Sequence, residues 1–521
     1  MRTCKACAPG AARPVRTAWL ALGLPVLLTA CAQLPDWQGK AVLQQPVPQT
    51  LQAAAGAPQV AWPQDRWWLR YGDSQLDSLI AEALEHAPDM AAAAARVRQA
   101  QALLGVSEAA TAPQLSANAS ASGDKFSYHY LTPSSMVPRG LNDVGRATLD
   151  LGWSLDLWGR HRAAVAAASG ELQARQADAA QARLVLASSV AAAYADLVRL
   201  TVTEQTLAQS LQVRTTTARL FAERFAHGLE NQGGVHSANA RQAAARAEWL
   251  QAQEQLALQR HRIAALMGAA PDRGAAITIP ASTLQQPWQQ QWALPDQLPA
   301  SLLGRRPDVV AARLQAQSLE SRVAAKQAEF YPEVNLSAFI GVQSLGLDML
   351  TKGGSSVASV GPAISLPLFN GGRLRSELGA ARAQYDEAVA LYRNTLNHAL
   401  QEVADNAVSQ RALQQQLQAM EQAVHAATEA HRVARNRYEG GLATHLDVLS
   451  AEDQLLASVR QLVDVQARAL SLDIALHRAL GGGWQEAPSP QTAQSSAARV
   501  TPAFPRRDMR LRHPNSLNFP N

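Results

Sequence analysis

Residues 149–158 read Leu-Asp-Leu-Gly-Trp-Ser-Leu-Asp-Leu-Trp. Leu149, Leu151, Trp153, Leu155 and Leu157 alternate with Asp150, Gly152, Ser154 and Asp156, a period of two that puts apolar and polar groups on opposite faces of a strand. Just upstream, Leu115, Ala117, Ala119 and Ala121 alternate with Gln114, Ser116, Asn118, Ser120 and Ser122. Two such runs joined by a loop near 123–145 make one long hairpin.

A second hairpin follows the same rule. Val334, Leu336, Ala338, Ile340 and Val342, then Ala358, Val360, Ile364, Leu366 and Leu368, line one face, with a loop near 345–357. The two halves of the chain match elsewhere too. Pro113-Gln-Leu-Ser-Ala pairs with Pro332-Glu-Val-Asn-Leu, Ser154-Leu-Asp-Leu-Trp158 with Ser365-Leu-Pro-Leu-Phe369, Arg224-Phe-Ala-His-Gly228 with Arg437-Tyr-Glu-Gly-Gly441, and Ala265-Leu-Met-Gly268 with Ala479-Leu-Gly-Gly482. The offsets are 219, 211, 213 and 214 residues, which marks an internal repeat.

Each hairpin is followed by a stretch without proline, Arg139 to Ala270 and Leu368 to Ala487, in which a helix can run unbroken. Residues 160–226 and 373–439 then form rods of roughly 100 Å at about 1.5 Å per residue. Leu374, Leu378, Ala381, Tyr385, Val389, Tyr392, Leu396, Ala399 and Val403 mark one helical face. Gly228 and Gly440-Gly441 end the rods in turns, and shorter helices near 235–267 and 447–480 return along them. Helical segments near 74–110 and 307–330 precede the hairpins. The turn Gly228-Leu-Glu-Asn-Gln-Gly-Gly-Val235 lacks the Thr-x-Leu-Asp-Val pattern of residues 444–448, so the two tips are expected to differ.

The N-terminus carries an address. Arg13 and Arg16 precede the uncharged run Thr17 to Pro35, whose apolar part Ala18 to Leu28 leads to Leu28-Thr-Ala-Cys31. Such a segment is a secretory signal peptide covering residues 1–30; Pro25 and the short apolar stretch argue against a retained membrane helix. Leu-Thr-Ala-Cys resembles the lipobox of bacterial lipoproteins, which implies acylation of Cys31 and two or more chains for anchoring. Ala32 after it leans towards the outer membrane. Cys4 and Cys7 lie in the removed segment, so neither disulfide nor thiol chemistry is left to the mature chain.

The 521 residues carry a net charge of +5, but Arg2, Lys5, Arg13 and Arg16 account for four of it, leaving +1 from Cys31 onward. The tail 485–521 adds five Arg and two acids, so the body 31–484 carries −2. No nucleic-acid footprint follows from that balance. With 47% hydrophobic residues and only 5% aromatic, the chain suits alanine-rich helices. The twelve His show no HExxH spacing, and neither a P-loop nor a G-x-S-x-G motif is present. No catalytic, cofactor or metal residues are expected, and no enzyme.

A lipid-exposed sheet has no open edge, and four strands cannot close a membrane barrel, so several chains must share one. The polar strand face with Asp150 and Asp156 would line the lumen. The chain resembles the TolC-like outer-membrane efflux family, in its NodT-like lipoprotein branch, over residues 62–484. The stretches that carry the resemblance are Trp67-Trp-Leu-Arg-Tyr-Gly-Asp73, Leu76-Asp-Ser-Leu-Ile80, Leu155-Asp-Leu-Trp-Gly-Arg160, Arg305-Arg-Pro-Asp-Val309, Phe330-Tyr-Pro332, Pro367-Leu-Phe-Asn-Gly-Gly-Arg373, Arg437-Tyr438 with Leu446-Asp-Val-Leu449, and Ala479-Leu-Gly-Gly-Gly-Trp484.

The resemblance implies an α+β membrane protein: a homotrimer with a 12-strand outer-membrane β-barrel, four strands per chain, continued by a periplasmic α-helical tunnel. It implies the exit duct of a tripartite efflux pump, with a periplasmic membrane-fusion adaptor and an inner-membrane transporter of the RND type as partners. The alternatives are the exit duct of a type I protein secretion system and a trimeric structural lipoprotein without a channel. The expected organisation is signal peptide 1–30, lipid-anchored linker 31–66, first repeat 67–284, second repeat 285–484 and a disordered tail 485–521. Asp447 matches the family position of an acidic ring at the closed periplasmic entrance, with Ser450 where a second acid is frequent. Tyr438, Arg437 and Arg224 are candidate latches of that gate, or simple helix-end packing.

Overall fold

The computed structural model describes residues 41–43, 62–129, 133, 135–280 and 304–486. The signal peptide, Cys31, most of the linker, the boundary near 284 and the tail beyond 486 lie outside the described residues.

Helices α1 (Ser74–His86) and α2 (Pro88–Ala109) lead to strands β1 (Gln114–Asp124) and β2 (Asn142–Leu155). Helix α3 (Arg160–Ala226) descends for 67 residues and α4 (Gln232–Leu266) returns for 35, followed by the single turn α5 (Pro271–Ala275). The second half repeats the order: α6 (Pro307–Ala328), β3 (Glu333–Leu345), β4 (Ser356–Ser365), α7 (Arg373–Glu439, 67 residues) and α8 (His445–Ala479, 35 residues). Both ends of α2 lie 219 residues before those of α6, and both ends of α3 and of α4 lie 213 before those of α7 and α8. All the difference falls in the hairpins. The segment read as helical near 74–110 breaks at Ala87, because a residue before proline is pushed out of the helical region and Ala87 takes φ −63°, ψ 131°.

The strands form one antiparallel sheet in the order β1-β2-β3-β4. Its register aligns the apolar alternation of all four: Leu115 faces Leu151, which faces Ala338, which faces Val360, and the next row is Ala117, Leu149, Ile340 and Ala358. This face is uncovered within the chain, with Leu115, Ile340, Val360 and Ile364 all exposed. The opposite face holds Ser116, Asp150 and Ser359 with Phe339, and there Arg146 sits over the Phe339 ring at 5.0 Å.

The core lies along the upper rods. Small residues permit close approach: Ala174 and Ala177 of α3 pack on Val310, Ala311 and Leu314 of α6, and the Ser318 hydroxyl donates to the Ala167 carbonyl at 2.7 Å. Alanine thus replaces the missing aromatics, since backbone contact rather than side-chain bulk fills the space. By length and composition α3 contains an apolar stretch able to cross a membrane, but residues such as Val190, Tyr194 and Leu197 are buried against Ile80, Ile263 and Ile474. That stretch is core. Trp67, Trp68 and Tyr71, in a 3-10 turn, close the same cluster, and the Tyr71 hydroxyl donates to Asp473 at 2.6 Å.

Arg306 explains the Arg-Arg-Pro-Asp stretch. Buried to 6% exposure, it donates to both oxygens of Asp308, to Glu402 at 2.7 Å and to the Ala479 carbonyl at 3.0 Å. One guanidinium so ties α6, α7 and the end of α8 together, each of its bonds charge-assisted or backbone-directed. Gly481 (φ +85°) packs on the Arg305 carbonyl, where any side chain would collide.

Candidate functional site

Two regions carry the residues singled out above: the sheet with its base, and the far tips of the rods. At the base, Asp156 accepts from the backbone N–H of His161 and of Arg162, both at 3.0 Å, and from Arg162 Nε at 3.1 Å. It caps the start of α3, a task its glycine N-cap Gly159 cannot perform. Asp150 sits on the polar strand face, accepting from Asn118 Nδ2 at 2.9 Å and from Thr148 Oγ1 at 2.7 Å. Below them a cavity of about 470 Å³ opens among Asp156, His161, Lys326, Glu333, Arg373 and Glu377. Its charges are paired: Lys326 with Glu377 at 2.9 Å and Arg373 with Glu377 at 2.7 Å.

At the tips the two repeats make the same turn. Gly228 (φ +72°) and Gly441 (φ +71°) take the left-handed conformation, and the N–H groups of Leu229 and Leu442 return to the carbonyls of Arg224 and Arg437, each at 2.8 Å. The backbones are therefore equivalent, contrary to the expectation from sequence, because glycine and a polar N-cap suffice to set the turn. The caps differ. Asn231 Oδ1 accepts from Gly234 N–H at 2.8 Å, whereas Thr444 and Asp447 form a capping box, in which Asp447 Oδ2 accepts from both the Thr444 N–H and its hydroxyl at 2.8 Å. These bonds, with Arg437 nearby, hold the Asp447 carboxyl below its ordinary range.

Arg224 and Tyr438 come together across the repeats: Arg224 Nη1 donates to the Tyr438 hydroxyl at 2.8 Å. Arg437 is exposed and acts on Asp447 through its charge. Between the two repeats lies a residue the sequence reading missed. The His445 ring stands nearly perpendicular to those of Phe221 (5.0 Å, 81°) and Tyr438 (4.9 Å, 89°). Burial, then Arg224, push its pKa below the ordinary histidine value. His445 Nδ1 and Arg224 Nε are both buried without a hydrogen-bond partner. Phe221 lies one helical turn before Arg224 and shares its face, which brings both to His445.

Arg214 was missed as well. At 5% exposure it lies against Glu452 at 3.5 Å and bonds Asp453, which also meets Arg241 at 3.6 Å, so α3, α4 and α8 share one charged knot. Among the described residues no group of three or more His, Cys, Asp or Glu could hold a metal.

The model of the outer membrane efflux protein family matches residues 79–269 and 298–482. Multidrug resistance outer membrane protein MdtP of Escherichia coli K12 is 32% identical over 476 residues, covering 90% of this chain and 96% of that protein. MdtQ of Escherichia coli O6:H1 is 30% identical over 482 residues, covering 89% and 97%. Among solved structures, the outer membrane protein VceC of Vibrio cholerae superimposes with a TM-score of 0.75 at 46% identity, over 81% of this chain and all of VceC. The outer-membrane channel OprN gives 0.76 at 28% identity, over 87% of this chain and all of OprN. With both repeats matched and a sheet and rods of the same fold, the chain belongs to the outer membrane efflux protein family.

Proposed function

We propose that the chain is the outer-membrane exit duct of a tripartite efflux pump, passing small toxic compounds outward without chemistry of its own. The observation that carries this is the sheet: one continuous apolar face in register across four strands, two open edges, and 67-residue rods attached to its base. In lipid each unpaired edge amide costs several kcal/mol, so β1 of one copy pairs with β4 of the next. Three copies close twelve strands. The rods then form a helical tunnel that meets a periplasmic membrane-fusion adaptor and, through it, an inner-membrane transporter of the RND type. Small molecules are favoured as cargo over proteins because MdtP and MdtQ are named for multidrug resistance.

Cys31 is the acylated anchor in this reading, and the start of the described chain supports it. Ala41 N–H donates to Asp386 at 3.2 Å, Arg393 donates to the Val42 carbonyl at 3.2 Å, and Leu43 packs on Tyr392 and Val389. Asp386 lies thirteen residues into α7, about 20 Å below the sheet, and ten residues of linker reach about 35 Å. The anchor can therefore lie in the membrane that holds the barrel.

Purified protein should have the native mass of three chains and conduct ions in a planar bilayer. A stable monomer, or a trimer that never conducts, would refute the duct.

A further inference from the structure

The apolar face of the sheet is uneven along its length. Towards the rods it carries Leu115, Leu151, Trp153, Leu336, Val360 and Ile364; towards the hairpin loops it carries Ala119, Ala121, Gly123, Gly145 and Ala147. From Ala147 to Leu155 the run rises about 26 Å along the strand, or about 20 Å once tilted by about 40°, against a band of about 25 Å in outer-membrane barrels. The strands alone leave the outer end poor in apolar surface.

Loop leucines lie over that end. A Cβ on Gly145 would come within 2.9 Å of Leu347 Cδ2 and 3.3 Å of Leu350 Cδ1, and a Cβ on Gly123 within 3.4 Å of Leu141 Cδ2. Gly145 pairs with Ala121 and Ser344, so its missing side chain would project on the same side as Ala117, Leu149 and Ile340. The loops therefore fold down over the apolar face and not into the lumen. Hydrogen bonds fix the turn: Gly346 N–H to the Asp143 carbonyl at 2.6 Å, Ser344 Oγ to the Gly346 carbonyl at 2.8 Å and Ser355 Oγ to the Met349 carbonyl at 2.8 Å. Yet the leucines keep their outer sides open, Leu141 at 74% and Leu347 at 48% exposure. Lys352 and Asp348, paired at 3.5 Å, form a polar border beside them.

We infer that Leu141, Leu347 and Leu350 form an apolar collar seated among the lipid acyl chains of the outer leaflet. The inference rests on the membrane-barrel reading above. Continuity selects this occupant: the collar extends the lipid-facing side of the sheet, whereas pairing with a second copy runs through the strand edges, in the plane of the sheet. The outer end of the barrel is thus greased by loops, which frees its strands to carry glycine and alanine where β1 and β2 approach the collar.

The test places the photocrosslinking residue p-benzoylphenylalanine, by codon suppression in the full chain, at the Leu347, Leu141, Ile340 or Ser116 position in membranes. Ile340 reports the lipid-facing side of the sheet and Ser116 its polar side. The Leu347 and Leu141 positions should form lipid adducts in yields similar to Ile340, and the Ser116 position none. Lipid adducts at Ile340 but none at Leu347 or Leu141 overturn the collar and leave the barrel standing. Adducts at Leu347 to a second copy of the chain overturn the collar as well. No lipid adduct at Ile340 removes the barrel and the collar with it.

Discussion

Arg224 Nη1 and the Tyr438 hydroxyl, 2.8 Å apart, join the last turns of the two long rods, one from each repeat. A hydrogen bond from a charged donor contributes about 1.5–3 kcal/mol when enclosed, and partial exposure puts this one at the low end. The bond links coils within one copy at the place where the tunnel narrows in the proposed trimer.

Breaking it should open the duct. Tyr438→Phe, which removes the acceptor of Arg224, is expected to raise the resting conductance of the trimer in planar bilayers, and adding Arg437→Ser should change it further only through the charge beside Asp447. A conductance equal to the parent's in both variants would reduce the contact to helix-end packing.

Acid should loosen the same contact. The pKa of His445 is lowered by burial first and by Arg224 next, with Glu230 opposing and Arg241 adding a smaller push, so the latched state prefers the neutral ring. Released histidine titrates near 6.5, so the contribution is whole above that pH and is lost as pH falls from there towards the depressed value. Resting conductance should rise as pH falls below about 6.5. In His445→Phe, which keeps the ring but not the titration, the profile should be flat.

Asp447 carries two parts, a helix cap and a charge repeated three times around the proposed axis, and Asn separates them. Asp447→Asn keeps an acceptor for Thr444 but removes the ring of charge. Cation selectivity and block by multivalent cations should disappear while the latch stays shut. Unchanged selectivity in single-channel records would place the ring away from the constriction.

Arg214→Met should destabilise the tip region by about 3 kcal/mol, the cost of leaving a buried charge partner uncompensated, with Arg241 still beside Asp453 to limit it. The double change with Glu452→Leu should recover most of that. Thermal unfolding of the trimer in detergent reads both.

Replacing Cys31 by Ser should abolish acylation, visible as loss of label or of lipid mass from the mature chain. A wild-type chain that starts at Met1 without lipid would contradict the anchor.

The rods were legible from sequence to the residue, 160–226 and 373–439, because glycine, proline and helical period act locally. The strand faces followed from alternation, but their bounds did not: β2 starts at Asn142 inside the expected loop, and Leu157, Leu366 and Leu368 lie past the strand ends, because alternation continues into the connections that lead to the rods. Pro88 was in view, yet the break it makes in the 74–110 segment went unread. His445 and Arg214 were not legible. Their importance comes from Phe221, Tyr438, Glu452 and Asp453, which stand on other helices, and nothing in a lone histidine or a mid-helix arginine names such neighbours. The contacts of Asp156 could not be foreseen either, since an acid at a strand's end serves a lumen or a helix start equally well.

The equal rods, 67 and 67 residues down and 35 and 35 back, have a cost in evolution. One residue inserted in α3 alone would shift its tip by about 1.5 Å and turn it by about 100°, tearing Arg224 from Tyr438. To span a wider periplasm, the tunnel would need concerted insertions in four helices, in whole turns. Length drift between relatives should therefore be absorbed by the hairpins, where the two halves of this chain already differ.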